Sequence, residues 1–125
     1  MLGTCAACEL EDVYCEGHHI IYKSQCKCMI PIKINIALLC VGCHRSSPNG
    51  VHHNKKLDLR LKKNLQFKLE TMFIEKDYYT EDEIKYILKC SKDEVFNICK
   101  KLCFHIRGYD KDDLIMRMLG GRFYI

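Results

Sequence analysis

No stretch of this chain approaches the ~20 apolar residues that a membrane-spanning helix needs. Its first residues, MLGTCAACELED, have neither the basic start nor the apolar run of a secretory leader. These two absences lead to the expectation of a soluble, cytoplasmic protein without a membrane partner. No internal repeat or low-complexity tract is visible, and 125 residues suit one domain, or one with a small appendage. With 48% hydrophobic residues a real core is expected and wholesale disorder is not.

Ten cysteines are many for this length. In the absence of a leader they read as reduced thiols, some of them holding metal, rather than as a disulfide framework. Cys5-Ala-Ala-Cys8 and Cys40-Val-Gly-Cys43 are two C-x2-C pairs, the pattern of a tetrahedral four-thiolate zinc site. Cys15 and Cys26 compete as ligands, and Cys26-Lys27-Cys28 has no obvious place. Cys90, Cys99 and Cys103 lie at helical spacing among apolar residues, which suits small core side chains.

Acids are scarce between His53 and Lys68, where Asp58 stands alone against Lys55, Lys56, Arg60, Lys62, Lys63 and Lys68. Such a stripe suits a phosphate backbone, and equally an ordinary solvated helix face.

VYCEGHHIIY, residues 13–22, has strand composition, and Ile34 to Leu39 predicts a second strand leading into Cys40. Ser47-Pro48-Asn49-Gly50 is a turn signal. Leu57, Leu61, Leu65 and Leu69 recur every four residues from a start near Asn54, with Met72 and Phe73 extending the stripe, and predict a long helix. Thr80 to Glu83 and Ser91 to Glu94 match capping boxes, so two short helices with helix-turn-helix proportions are expected over 80–104. Lys92, Asn97, Lys100 and Lys101 would face a DNA groove there, or the pair is a plain packing appendage. A last helix is expected from Lys111 to Leu119, stopped by Gly120-Gly121.

The ordered set His18-His19-Ile20, Asn35, Leu39-Cys40-Val41-Gly42-Cys43-His44 and His52 resembles the HNH endonuclease family. That family has a histidine pair on its first strand, an asparagine before a leucine-rich second strand, and a Cys-His dipeptide opening a helix. Asn35 and His44 stand nine residues apart, the family's interval. Asn49-Gly50-Val51-His52 followed by Leu57-Asp58, and the ending Gly120-Gly121-Arg122-Phe123-Tyr124-Ile125, are similar to a phage-encoded subset that carries zinc knuckles.

The resemblance implies an α+β fold. A small ββα-metal (His-Me finger) core over residues 1–75 would be stapled by the four-cysteine zinc site. A helical part with the helix-turn-helix would follow over 76–125. It implies a metal-dependent endonuclease that hydrolyses DNA phosphodiester bonds, phage or mobile-element encoded, a monomer or homodimer with phage proteins as further partners.

By the same resemblance His19 is the general base and Asn35 pins the loop that orients it. His18 and His44 hold one catalytic divalent metal (Mg2+, Mn2+, Ni2+ or Zn2+). Pro48 occupies a position where some members have a further histidine, so His52 is taken as the third ligand, with His53 as the alternative. Glu16 is expected to be a solvent-exposed strand residue. Lys55, Lys56, Arg60, Lys62 and Lys63 are expected to clamp the DNA backbone. The rival reading is a non-enzymatic zinc-knuckle, helix-turn-helix DNA-binding regulator, which would have no use for the histidine–asparagine register.

Overall fold

A computed structural model describes residues 1–46 and 48–125. The fold is mixed α+β. Strands β1 (Leu2–Gly3), β2 (Val13–His19) and β3 (Ile36–Cys40) form an antiparallel sheet in the order β1-β2-β3. The β2–β3 register sets Cys15 opposite Cys40, His18 opposite Ala37 and His19 opposite Ile36.

Strand β2 ends at His19, short of the Tyr22 expected from composition. Asn35 takes over the ladder there: its carbonyl accepts from the Ile20 amide at 2.8 Å and its side-chain oxygen from the Ile21 amide at 2.7 Å. The connection to β3 carries two 3₁₀ turns, Lys27–Met29 and Lys33–Asn35, so β3 starts at Ile36 rather than Ile34.

A single helical turn, α1 (Val41–His44), follows β3 directly, and a 3₁₀ turn at Val51–His53 leads to α2 (Lys55–Met72). The Asn54 side chain caps α2 by accepting from the Lys56 and Leu57 amides. Leu57, Leu61, Leu65, Leu69 and Phe73 are buried along one face, each contributing about 1.5–3 kcal/mol by leaving water.

Beyond α2 come β4 (Tyr78–Tyr79), α3 (Glu81–Leu88), α4 (Lys92–Cys99), β5 (Phe104–His105), β6 (Gly108–Asp110) and α5 (Lys111–Met118). Both capping boxes form, at Thr80/Glu83 and Ser91/Glu94. Lys89 takes a left-handed conformation (φ 55°) to break α3 from α4.

Residues 76–125 were expected to be helical, and here the expectation needs correction. They also contain a three-stranded sheet of order β4-β6-β5. Gly108 makes it possible: its φ is +124°, and a Cβ there would lie 2.5 Å from the Tyr79 carbonyl oxygen.

One hydrophobic core runs through both halves, joining Ile21, Met29 and Leu39 to Leu65, Leu69, Leu114 and Met118. Helix α4 packs on the Lys27–Met29 turn and α5 packs on α2. Tyr124 donates its amide to Gln66 Oε1 at 2.6 Å, fastening the chain end to α2. Among the described residues no helix is long and apolar enough to cross a membrane.

Candidate metal centres and the loop beside them

The β2–β3 register and the N-terminal turn bring Cys5, Cys8, Cys40 and Cys43 together, with all four sulfurs within 4.8 Å of one another. Four sulfurs ~2.3 Å from a tetrahedral zinc lie about 3.8 Å apart, and Cys8 Sγ and Cys40 Sγ are 3.8 Å apart. The set could therefore hold a structural ion such as zinc.

Burial alone would raise the Cys5 thiol, but hydrogen bonds from the Cys8, Cys40 and Ala7 amides outweigh it and bring it down to about 6. Burial and the neighbouring thiols push Cys43 up. A divalent cation resolves that contest by favouring thiolate at every position. Cys15 and Cys26, the competing ligands, stand outside this cluster.

A second cluster joins β2, α1 and the turn before α2. The ring centroids of His18, His44 and His52 form a near-equilateral triangle with sides of 5.3, 5.2 and 5.2 Å. One nitrogen of each lies within 4.8 Å of the others. His53, the alternative to His52, is exposed and outside the triangle.

The His18 side chain is only 3% exposed, and its Nε2 has no hydrogen-bond partner among the described residues. A buried polar atom left unpaired costs about 1–3 kcal/mol, and a bound cation would satisfy it. Burial, then the His44 and His52 charges, push His18 down to about 4, which keeps its imidazole in the neutral, ligating form. The donors and the orphaned nitrogen fit a divalent ion.

His44 is held from behind. Its Nδ1 lies 2.9 Å from Glu16 Oε1, and Arg45 donates to Glu16 Oε2 at 2.6 Å. With Nδ1–H given to a carboxylate, Nε2 is left to act as ligand. Glu16 is therefore half-buried and engaged, not the solvent-exposed strand residue expected. Its hydrogen bond from His44, ahead of the charge of Arg45, holds its carboxyl below the usual range.

His19, on the opposite face of β2, places Nε2 3.0 Å from the Ile30 carbonyl oxygen. A carbonyl only accepts, so Nε2 carries the proton and Nδ1 is unprotonated in the neutral ring. The fully buried Asn35 donates from Nδ2 to Met29 O at 3.1 Å and to Ile21 O at 3.2 Å. It thereby ties β2's end to the turn that carries Ile30. His18, His19, His44 and His52 line one open cleft of about 440 Å³ with Tyr22 and Ser24.

Lys55, Lys56, Arg60 and Lys63 are exposed on α2, and Arg60 also donates to Ala7 O in the first cysteine knuckle at 2.9 Å. Lys62, expected with them on the DNA-facing stripe, is instead 5% exposed. Its ammonium lies 2.9 Å from Asp58 Oδ2 and 4.3 Å above the centre of the Tyr22 ring. One helical turn separates it from Asp58, on the border of the leucine face, and that position turns its stem inward.

Tyr22 donates to Asp58 Oδ1 at 2.6 Å, and its ring centroid lies 5.9 Å from that of His18 and 6.0 Å from that of His52. This Tyr22–Asp58–Lys62 network was not foreseen. The only signal for it in the sequence was the isolated acid of the basic stripe. Comparisons with protein-family models, curated proteins and solved structures gave no match to this chain.

Proposed function

We propose that this protein is a metal-dependent endonuclease of the HNH type that hydrolyses DNA phosphodiester bonds, carried by a phage or mobile element. One observation carries the reading: the His18, His44 and His52 triangle, with its orphaned buried nitrogen, shares a cleft with His19.

A divalent ion held by the three imidazoles would neutralise charge on the scissile phosphate and the departing 3′ oxygen. Three nitrogen donors suit zinc or nickel better than magnesium. His19 takes a proton from the attacking water at Nδ1, because its Nε2 proton is committed to Ile30. Asn35 fixes the loop and so fixes the ring. Glu16 keeps His44 in the tautomer that ligates through Nε2. Lys55, Lys56, Arg60 and Lys63 hold the DNA backbone without reading sequence, and the four-cysteine ion staples the knuckles beside them.

A second reading, a non-catalytic DNA-binding regulator, draws on the α3–α4 pair and the exposed Lys92, Asn97, Lys100 and Lys101. It gives no purpose to the histidine triangle. Cleavage of supercoiled plasmid by the wild type and His19→Ala, in manganese, nickel, magnesium or EDTA, separates the two. General-base action is typically worth ~10²–10⁴-fold, so His19→Ala should lose nearly all metal-dependent cutting while still binding DNA. No cutting by the wild type in any metal, with DNA binding intact, favours the regulator.

A further inference from the structure

We propose that Cys26 and Cys28 form a peroxide-oxidisable dithiol, and that its closure to a disulfide disturbs the loop carrying Ile30 and switches the hydrolytic site off. The existence of the dithiol is independent of the function proposed above; its effect on cutting rests on that reading.

The two sulfurs are 2.9 Å apart and belong to neither metal cluster. They face an open cleft of about 430 Å³ lined by Lys27, Lys100, Lys101 and Arg117. The Arg117 guanidinium is fixed in place by donating to the Ile98 and Asn97 carbonyl oxygens at 3.2 and 3.1 Å, and its Nη1 is 3.8 Å from Cys26 Sγ. A thiol between a cation and a second thiol is the environment that favours thiolate, the nucleophilic form. The hydrogen bond from Cys28, ahead of the Arg117 charge, brings Cys26 down to about 6, and the same contact drives Cys28 up. Cys15 and Cys99, also buried, are shifted the opposite way.

The oxidant is hydrogen peroxide. The Cys26 thiolate attacks one peroxide oxygen, the O–O bond breaks, and the leaving oxygen departs as water after protonation, leaving a sulfenic acid. Cys28 then attacks that sulfur and expels the hydroxyl as a second water, with the Cys28 thiol supplying the proton. Two thiols lose two electrons and the peroxide gains them. A dithiol reductant reverses the closure by exchange.

The position gives the chemistry a consequence. Cys26 caps the Lys27–Met29 turn, whose last carbonyl, Met29 O, holds Asn35, and the next, Ile30 O, holds His19. A disulfide needs its sulfurs ~2.05 Å apart with a dihedral near 90°. In a ring with one intervening residue that demand moves the backbone of Cys28 and its neighbour Met29. Met29 O and Ile30 O shift with it, and the His19 ring loses its fixed orientation.

The test uses the full zinc-loaded chain, exposed to a slight excess of hydrogen peroxide and then to dithiothreitol. Peptide mass mapping should find a Cys26–Cys28 disulfide before any zinc is released. Plasmid cutting should fall at least tenfold and return on reduction, and amide exchange at Ile21 should rise in the oxidised form. Cys28→Ser, checked for zinc content and helicity, should keep the reduced-state rate and lose the reversible response; Cys28→Ala serves if the serine variant is unfolded. Zinc-site oxidation with Cys26 and Cys28 still free overturns the dithiol. A formed disulfide with unchanged cutting overturns the switch. If no preparation cuts DNA, the endonuclease reading fails; mapping still decides the dithiol and amide exchange still decides the loop.

Discussion

Replacing Glu16 tests whether the histidine triangle is a metal site. Glu16 has no ligand role: it accepts the His44 Nδ1 proton at 2.9 Å and the Arg45 guanidinium at 2.6 Å. Removing a carboxylate that orients a ligating histidine typically costs about 10–100-fold in metal affinity. Glu16→Ala frees the His44 ring to rotate and to place its proton on either nitrogen, so the full loss is expected. Glu16→Gln should fall between, because an amide oxygen still accepts from Nδ1 but without the charge. The assay is calorimetric titration of manganese or nickel into protein already carrying one zinc per chain, which separates this centre from the four cysteines. His44→Ala marks the floor. A Glu16→Ala affinity within twofold of the wild type, with His44→Ala clearly weakened, would refute the orienting role. Equal, weak binding by all three proteins would mean that the triangle holds no ion.

Four further outcomes follow from packing, charge and the knuckle ion. Asp58→Ala strands the buried Lys62 ammonium and should destabilise by about 2–3 kcal/mol in urea unfolding, below the ~3–5 kcal/mol of a fully buried pair because the Asp58 side chain is 22% exposed. Lys62→Met removes the charge along with its need for a partner and should change stability by less than about 1.5 kcal/mol. Burial pushes His18 down to about 4 in the folded chain from an ordinary 6.5. The unfolded chain therefore binds the extra proton between those values, and stability should fall as pH drops through that window, by up to about 3 kcal/mol. In protein carrying only the four-cysteine ion, His18→Asn should lose that part of the pH dependence of unfolding. Cys40→Ser, or chelation of the wild type, should release the knuckle ion and lower the melting temperature, as followed by circular dichroism.

The parts legible in the sequence are those fixed within a few residues. Asn54, Thr80 and Ser91 cap helices because a short oxygen-bearing side chain before an apolar period satisfies free amides wherever it occurs. The Leu57 to Leu69 stripe is buried for the same local reason. The β5–β6 hairpin was missed because strands of two and three residues show no alternation, and Ile106-Arg107 is not a turn signal. Glu16 and Lys62 were misjudged because their burial is decided by His44, 28 residues on, and by the Tyr22 ring, neither of which their own neighbourhood reveals. Cys26 and Arg117 are 91 residues apart, so the setting of that thiol was out of reach.

The loop between β2 and β3 explains why the half that carries both candidate metal clusters and the C-terminal half do not part at residue 75. It carries Ile21 and Met29 in the shared core. It meets α4 at the Lys27–Met29 turn, and Arg117 joins it to the end of α4. Gly120 lies against Ile21 and Gln25 with a φ of +84°, a backbone conformation that favours glycine. The carbonyls of Met29 and Ile30, which fix Asn35 and His19, thus rest on helices that contribute nothing to either metal cluster. A chain cut after α2 keeps all seven candidate metal ligands. It loses the surface that holds the loop, and with it the orientation of the proposed base. The C-terminal helices would therefore belong to the proposed mechanism whether or not they touch DNA.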